Sequence, residues 1–187
     1  MTETFLNIGC GPVLLPYHVN IDMRPWPELV EWAGGELELP EGAYYLQHNC
    51  IADMPFDDAT VAGINADNVL EHLSVCYDEL QAFLASAWRV LRPGGYLQGE
   101  VPDFRKVIDY YLQDAQWEWD EGATSGAYAR PAENALANFA HGWEHKAIFS
   151  GPMLAHLLQT CGFANVTITP EARVQMRFYC EKPGSEA

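Results

Sequence analysis

Basic residues are scarce in this chain. Its 187 residues include 10 Lys and Arg against 26 Asp and Glu, so the formal net charge is −16 at pH 7. A surface of this sign repels phosphate groups, whereas proteins that bind nucleic acid present a basic face. We therefore expect neither nucleic acid nor an anionic membrane among the partners of the chain.

Long hydrophobic runs are also missing, and so are paired cysteines. No apolar run reaches the roughly 18 residues that a membrane-spanning helix requires. The N-terminal sequence MTET lacks the basic region of a signal peptide. The cysteines are odd in number and have neither disulfide nor zinc-site spacing: Cys10, Cys50, Cys76, Cys161 and Cys180. These absences predict a cytoplasmic protein with reduced thiols.

Apolar residues make up 49% of the chain, which is enough for the core of one domain of ordinary size. The hydrophobic patterns predict strands at 4–8, 18–21, 43–48, 60–65, 96–101, 165–169 and 174–180. They predict helices at 27–33, 77–91, from 104 onward after Asp103 as N-cap, and 151–161 after Ser150 as N-cap. Strands that alternate with helices indicate an α/β fold with a mostly parallel sheet and right-handed crossovers.

A glycine turn follows the first predicted strand. Gly9 and Gly11 allow a ligand to approach the backbone closely, and Asp22 ends the second predicted strand. Parallel sheets bind nucleosides at such strand ends, with the acid on the ribose hydroxyls. A dinucleotide site would need a third glycine at the position of Leu14, an acid roughly 20 residues on, and a helix N-terminus facing the pyrophosphate. The spacing therefore favours an adenosyl ligand without phosphates.

Further motifs follow the glycine turn in order: Met54-Pro55-Phe56-Asp57-Asp58, Asn68-Val69-Leu70-Glu71-His72-Leu73, Arg89 to Leu97, and Cys161-Gly162-Phe163. The set resembles the class I S-adenosylmethionine-dependent methyltransferases, specifically the methyltransferase type 11 group. The resemblance covers Leu6 to about Val101 and resumes from about His145 to Lys182. It implies a Rossmann-like, mostly parallel sheet with a C-terminal antiparallel hairpin. It also implies S-adenosyl-L-methionine as cofactor, and a small molecule, such as a glycan or natural product, as the O or N nucleophile.

The resemblance and the strand-end rule together assign the cofactor site. Gly9, Cys10 and Gly11 would contact the amino-acid end of the cofactor, and Asp22 would accept hydrogen bonds from the ribose. Asn49, Cys50 and Ile51 lie where the family contacts adenine, although Asp53 has the alternative role of bracing the turn that follows it. The remaining predicted cofactor-binding residues are Asn7, Asp67 and Asn68.

Methyl transfer from a sulfonium needs alignment and a dry site, and it needs a base only where the nucleophile carries a proton. The candidate catalytic residues are His72, His145 and His141. His72 follows Glu71 after the fourth strand, beside the expected position of the methyl group; packing beneath the next helix is the alternative role. His141 and His145 have the spacing of a metal pair, but no third ligand is obvious beyond Glu144 or His156, so no metal is predicted.

The segment from 104 to 149 interrupts the resemblance and is rich in aromatic residues. We expect a single domain over 1–187 in which this segment forms a lid-like insertion that sets substrate specificity. The alternative function is that of a catalytically inactive binding or scaffold protein, because Asn7 stands where the family usually has Asp or Glu. The sequence leaves the oligomeric state open.

Overall fold

The structure is a computed structural model that describes residues 3–76, 78–113, 136–137, 139–140, 144–171 and 174–184. Its strands are β1 (Thr4–Ile8), β2 (Val19–Asp22), β3 (Tyr44–Gln47), β4 (Val61–Asn65), β5 (Leu91–Pro102), β6 (Ala164–Pro170) and β7 (Gln175–Glu181). The described helices are α1 (Trp26–Trp32), α2 (Glu79–Val90), α3 (Phe104–Leu112), α4 (Gly151–Thr160) and a 3₁₀ turn (Leu70–His72).

The strands form one sheet in the order β3-β2-β1-β4-β5-β7-β6. The pairs from β3 to β5 are parallel, whereas β7 is antiparallel to both β5 and β6. The predicted α/β fold with a C-terminal antiparallel hairpin is therefore confirmed. The strand order reverses between β1 and β4, and ligands of open α/β sheets bind at the carboxyl ends of the strands beside such a reversal.

The core lies on both faces of β1, β4 and β5. Leu6 and Ile64 are fully buried in the middle of the sheet, and α2 packs Leu80, Phe83 and Leu84 against it at helical spacing. On α4, Leu154 and Leu158 are likewise buried. This core holds the ends of β1, β2 and β4, with their polar side chains, in fixed positions.

The sequence Arg92-Pro93-Gly94-Gly95 predicts a break between the helix and the strand that starts at Tyr96. In the structure, helix α2 instead passes directly into β5 at Leu91. Leu91 caps the helix and already pairs with Val61 of β4, and the register of this pair shifts before Gly63 pairs with Tyr96. The irregular register accommodates the proline and the two glycines within the strand.

Helical spacing predicts that Val107, Ile108, Tyr111 and Leu112 share the inward face of helix α3, and the structure buries only part of that face. Asp103 caps it as expected, accepting a hydrogen bond from the Arg105 backbone N–H at 3.0 Å. Val107 is buried in a small cluster with Phe139 and Val174, but Leu112 is 72% exposed. The described part of α3 thus packs by its first turns, and the more distal apolar positions are not covered by described residues.

Much of the predicted lid-like insertion lies outside the described residues, including 114–135 and 141–143. His141, Trp117, Trp119, Tyr128 and Trp143 belong to these segments. The assignment of 104–149 as a lid therefore stays a prediction. None of the helices in the described part of the chain has the length and apolarity of a transmembrane span.

Candidate active site

The glycine turn after β1 is required by the backbone and by its neighbours. Gly9 and Gly11 have φ of +62° and +48°, which L side chains rarely adopt. A Cβ at Gly9 would lie 2.7 Å from a methyl carbon of Val69, and one at Gly11 would lie 2.8 Å from the Trp32 ring. The turn is therefore packed between the β4–α2 connection and α1, which fixes its position at the carboxyl end of β1.

Asp22 lies beside this turn at the end of β2 and is 5% exposed. Its Oδ2 accepts a hydrogen bond from the Gly11 backbone N–H at 3.0 Å, and its Oδ1 accepts one from the Arg24 backbone N–H at 2.9 Å. The Arg24 guanidinium also lies 3.5 Å from Oδ1 and forms an ion pair with it. Because a carboxylate has about four acceptor positions, the carboxylate is held rigidly and retains acceptor capacity for hydroxyl donors, chiefly on Oδ2.

The surroundings of Asp22 keep two of its neighbours, Cys10 and Tyr45, in their uncharged forms. Burial, followed by the Asp22 charge, raises the pKa of the Cys10 thiol to about 12. The same two causes raise the pKa of the Tyr45 phenol. The Tyr45 hydroxyl donates a hydrogen bond to the Arg24 carbonyl, and the Arg24 guanidinium lies 4.7 Å from the centre of the Trp32 ring.

Three buried asparagines join the ends of β1, β2 and β4. Asn7 is the register partner of both Asn20 and Asn65. Its Nδ2 donates to Asn20 Oδ1 and to the Val13 carbonyl, each at 2.9 Å, and Asn65 Nδ2 donates to Asn7 Oδ1 at 3.3 Å. We call Asn7, Asn20 and Asn65 the asparagine network.

The asparagine network explains the amide at position 7. A carboxylate there would accept hydrogen bonds but could not donate them to Asn20 and Val13. Sequence reasoning missed Asn20 and Asn65, although each asparagine lies in the last residues of a predicted strand, where polar residues interrupt an apolar run. Asn65 Nδ2 also donates to the Asp67 carboxylate at 3.0 Å, which connects the network to a predicted site residue.

The predicted adenine-contacting residues follow β3. Asn49 is exposed, and its Oδ1 accepts a hydrogen bond from the Ile51 backbone N–H at 3.1 Å. Cys50 and Ile51 are half-buried against the main core. Burial raises the pKa of Cys50 to about 11, and the charge of Asp22 also raises it. The segment is therefore close enough to Asp22 for their charges to interact.

Two of the predicted catalytic histidines meet in space. The His72 and His145 ring centroids are 5.2 Å apart at 67°, in an edge-to-face arrangement. The backbone N–H groups of Lys146 and Ala147 donate to the Glu71 carbonyl at 2.7 and 2.9 Å. These bonds connect the segment before α4 to the 3₁₀ turn after β4. His141 lies outside the described residues.

The His145 ring donates a hydrogen bond to a backbone carbonyl, with Nδ1 2.9 Å from the Phe139 carbonyl oxygen. Burial lowers the pKa of both histidines, and the neighbouring His145 ring lowers that of His72 further. The neutral imidazoles are therefore favoured.

Glu71 completes this group. It is 2% exposed, and within the described part of the chain its Oε2 has no hydrogen-bond partner. Burial, and then the Asp67 charge, raises the pKa of the Glu71 carboxyl to about 8. Glu71, His72 and His145 each present one atom able to bind a metal, and these atoms lie within 4.8 Å of one another. Sequence reasoning paired His145 with His141 by spacing and could not find this group.

Comparisons with known proteins agree with the fold. Residues 6–98 match the family described as "Methyltransferase domain". The chain is 31% identical over 179 residues to an uncharacterized 37.1 kDa protein in transposon TN4556 of Streptomyces fradiae. That match covers 90% of this chain and 45% of the relative, so the chain spans less than half the length of the relative.

Solved structures show the same fold. A SAM-dependent methyltransferase from Methanosarcina mazei has a TM-score of 0.60 at 18% identity, with 99% of this chain and 95% of that chain covered. The 1,6-didemethyltoxoflavin-N1-methyltransferase of Burkholderia thailandensis, solved with that compound and S-adenosylhomocysteine, has a TM-score of 0.58 at 17% identity, covering 96% and 71%. The fold is thus that of the class I methyltransferases. Residues 6–98 match the methyltransferase domain family, and the whole chain shares its fold with a SAM-dependent methyltransferase.

Proposed function

We propose that this chain transfers a methyl group from S-adenosyl-L-methionine to an oxygen or nitrogen nucleophile of a small molecule. The observation that carries the proposal is Asp22, a rigid and nearly buried carboxylate with acceptor capacity left, placed against the glycine turn. Such a carboxylate fits the two hydroxyls of a ribose. The excess of acidic residues supports a small-molecule substrate over a nucleic acid.

The proposed cofactor site lies along the carboxyl ends of the parallel strands. The backbone of Gly9, Cys10 and Gly11 would face the amino-acid end of the cofactor, and Asp22 its ribose. The remaining proposed contacts are Asn49, Cys50 and Ile51 at the adenine, and Asp67 and Asn68 beyond β4. Asn7 would act indirectly, since its polar atoms hold Asn20, Val13 and Asn65 in place.

The proposed catalytic residues are His72 and His145, which lie beyond the end of β4 and not at the glycine turn. The nucleophile would attack the methyl carbon in line with the breaking carbon–sulfur bond, so orientation accounts for most of the catalysis. Neutral imidazoles at this place can bind the nucleophile or the proton that it loses. His141 and the other residues of the 104–149 insertion would complete the substrate side.

A cytoplasmic, reducing location is part of the proposal. All cysteines of the chain lie within the described residues and are free thiols. Burial raises the pKa of several of them, which keeps them protonated and slow to oxidise.

Calorimetry with S-adenosylhomocysteine tests the cofactor site. We expect saturable binding by the wild type and an affinity lower by at least about tenfold for Asp22→Asn, because hydrogen bonds to a charged acceptor contribute about 1.5–3 kcal/mol each. Asp57→Asn, at an exposed carboxylate, is the matched control and should bind like the wild type. Circular dichroism verifies that both variants are folded.

Turnover separates an enzyme from a binding protein. Release of S-adenosylhomocysteine from S-adenosyl-L-methionine, measured with a panel of hydroxyl and amine acceptors, supports the proposed activity. Tight cofactor binding without product for any acceptor would favour the scaffold alternative. Absence of binding by the folded wild type to either ligand would overturn the proposal.

A further inference from the structure

We propose that Glu71, His72 and His145 bind one divalent transition-metal cation of the zinc type on the substrate side of the candidate active site. Two imidazoles and one carboxylate are the donor set of many catalytic metal sites, which keep further positions open for water or substrate. In this chain they come from two distant segments that backbone hydrogen bonds join, namely the 3₁₀ turn after β4 and the segment before α4.

The spacing of the donors suits a single ion. One donor atom from each residue lies within 4.8 Å of the other two. Donors on one tetrahedral zinc, at about 2.1 Å from the metal, are separated by about 3.4 Å. The donors would move closer together when an ion binds, and the backbone bonds from 146 and 147 to Glu71 already hold the three residues in one place.

The hydrogen bond behind the His145 ring is that of a metal-binding histidine. A carbonyl can only accept, so His145 Nδ1 must carry a proton to bond the Phe139 oxygen at 2.9 Å, which places the lone pair on Nε2. A backbone carbonyl that accepts from the other ring nitrogen fixes the tautomer and the orientation of a metal ligand.

Glu71 provides the second, independent indication. Its carboxyl is almost wholly buried, yet Oε2 has no partner within the described part of the chain. An unsatisfied buried polar atom is costly, and a cation between Glu71 and the two rings would satisfy it. The edge-to-face contact of the two histidines explains their own packing but gives this oxygen no partner.

The surrounding charges favour a cation. The carboxylates of Asp67 and Glu144 act on Glu71 and His72 respectively. The Lys146 ammonium acts on His72 in the opposite sense, but it is paired, with its Nζ 3.1 Å from Glu79 Oε2. Among the described residues the formal charge near the three donors is therefore negative, which attracts a divalent ion and makes the site less favourable for an anion.

The role of the ion rests on the proposed function and follows from the position of its site. An oxygen or nitrogen of the methyl acceptor would take an open coordination position and be oriented by the ion. The cation site thereby predicts acceptors with a metal-binding donor atom as the substrate class. Cation binding itself needs neither cofactor nor acceptor, so it can be tested alone.

The test uses the full chain, treated with a chelator and then titrated with Zn²⁺ in competition with a chromophoric chelator. We expect one Zn²⁺ per chain for the wild type. Glu71→Gln, which keeps the shape of the side chain, and His145→Gln should each weaken binding by at least about tenfold, the lower end of the loss caused by removing an outer-shell partner. His156→Gln, at an exposed histidine of α4, is the matched control and should bind like the wild type.

Two further measurements keep the proposal falsifiable. Visible absorption of the Co²⁺ form reports nitrogen and oxygen coordination directly, and thermal unfolding shows whether each variant is folded. Zn²⁺ affinity that is the same in folded Glu71→Gln and wild type would overturn the site, as would no saturable binding by the wild type. Calorimetry with S-adenosylhomocysteine on the same proteins distinguishes the two proposals, because each type of binding can fail while the other remains.

Discussion

At the residue scale, the asparagine network gives the amide at position 7 a structural role. Asn7 uses its amide N–H groups toward two acceptors and its oxygen toward Asn65. The partners are buried, with Asn20 fully inaccessible and Asn7 4% exposed. The amide therefore aligns the glycine turn with the ends of β2 and β4. This structural role explains an asparagine at position 7 without any loss of enzymatic activity.

Asn7→Asp should lower the free energy of unfolding by about 1–2 kcal/mol, because the buried Asn20 Oδ1 and the partly buried Val13 carbonyl lose the Asn7 donor and face a carboxylate. Urea unfolding followed by circular dichroism measures the change. Asn49→Asp is the control: its exposed side chain keeps its acceptor role toward Ile51, so we expect a change within about 0.5 kcal/mol. Equal losses in the two variants would contradict the role of the Asn7 amide.

Cysteine reactivity is a second prediction at this scale. Burial raises the pKa of Cys10 and Cys180 to about 12 and that of Cys50 to about 11, whereas Cys76 is exposed. Only the thiolate is nucleophilic, so at about pH 8 iodoacetamide should label Cys76 first. With rising pH, Cys50 should react before Cys10 and Cys180.

Peptide mass spectrometry of the alkylated chain measures this order. The urea-unfolded chain is the control, in which all cysteines should react at similar rates. Labelling of Cys10 as fast as Cys76 in the folded chain would show that the glycine turn is open, which contradicts its packing.

At the scale of elements, Arg89 of α2 explains why two of the sequence motifs occur together. Its guanidinium donates to the carbonyls of Met54 and Phe56 at 2.7 and 2.9 Å. It also forms ion pairs with Asp53 and Asp58 at 2.8 and 2.7 Å. The alternative role of Asp53, bracing the turn that follows it, is therefore the one that its hydrogen bonds support.

Arg89→Lys should lower the Tm by about 3 °C or more, because an ammonium group cannot reach acceptors on both sides of the turn as the guanidinium fork does. Differential scanning calorimetry measures the shift. Arg92→Lys is the control, since Arg92 forms one exposed ion pair with Glu3 at 2.6 Å and such pairs contribute little. A larger shift for Arg92→Lys than for Arg89→Lys would show that the turn does not depend on the fork.

At the scale of the whole molecule, the sheet brings together side chains whose charges have one prevailing sign. The net charge of −16 applies to the entire chain, and the candidate site itself contains the carboxylates of Asp22 and Asp67, with the Arg24 guanidinium 3.5 Å from Asp22. This field opposes polyanions and is compatible with a cationic cofactor such as a sulfonium.

We therefore expect no retention of the chain by DNA or RNA in a mobility-shift assay at low salt, where electrostatic attraction would be strongest. A basic nucleic-acid-binding protein run in parallel serves as the positive control. Retention that disappears as salt is added would contradict this expectation and point to a local basic surface.

The sequence by itself determined the order and type of the strands and helices, because apolar periodicity and turn residues act locally. It also identified the glycine turn and Asp22, which are close in sequence and hydrogen-bonded in the structure. The ordered motifs indicated the resemblance to the family because each motif is a short segment that can be recognised without the tertiary structure.

Only the tertiary structure decided which distant side chains meet. The asparagine network depends on the register of three strands, and the contact of His72 with His145 depends on backbone bonds from 146 and 147 to Glu71. Local spacing paired His145 with His141 because a sequence pattern records neighbours along the chain. Glu71 Oε2 is buried without a partner among the described residues because the two segments pack together. The sequence pattern of either segment alone cannot predict this burial.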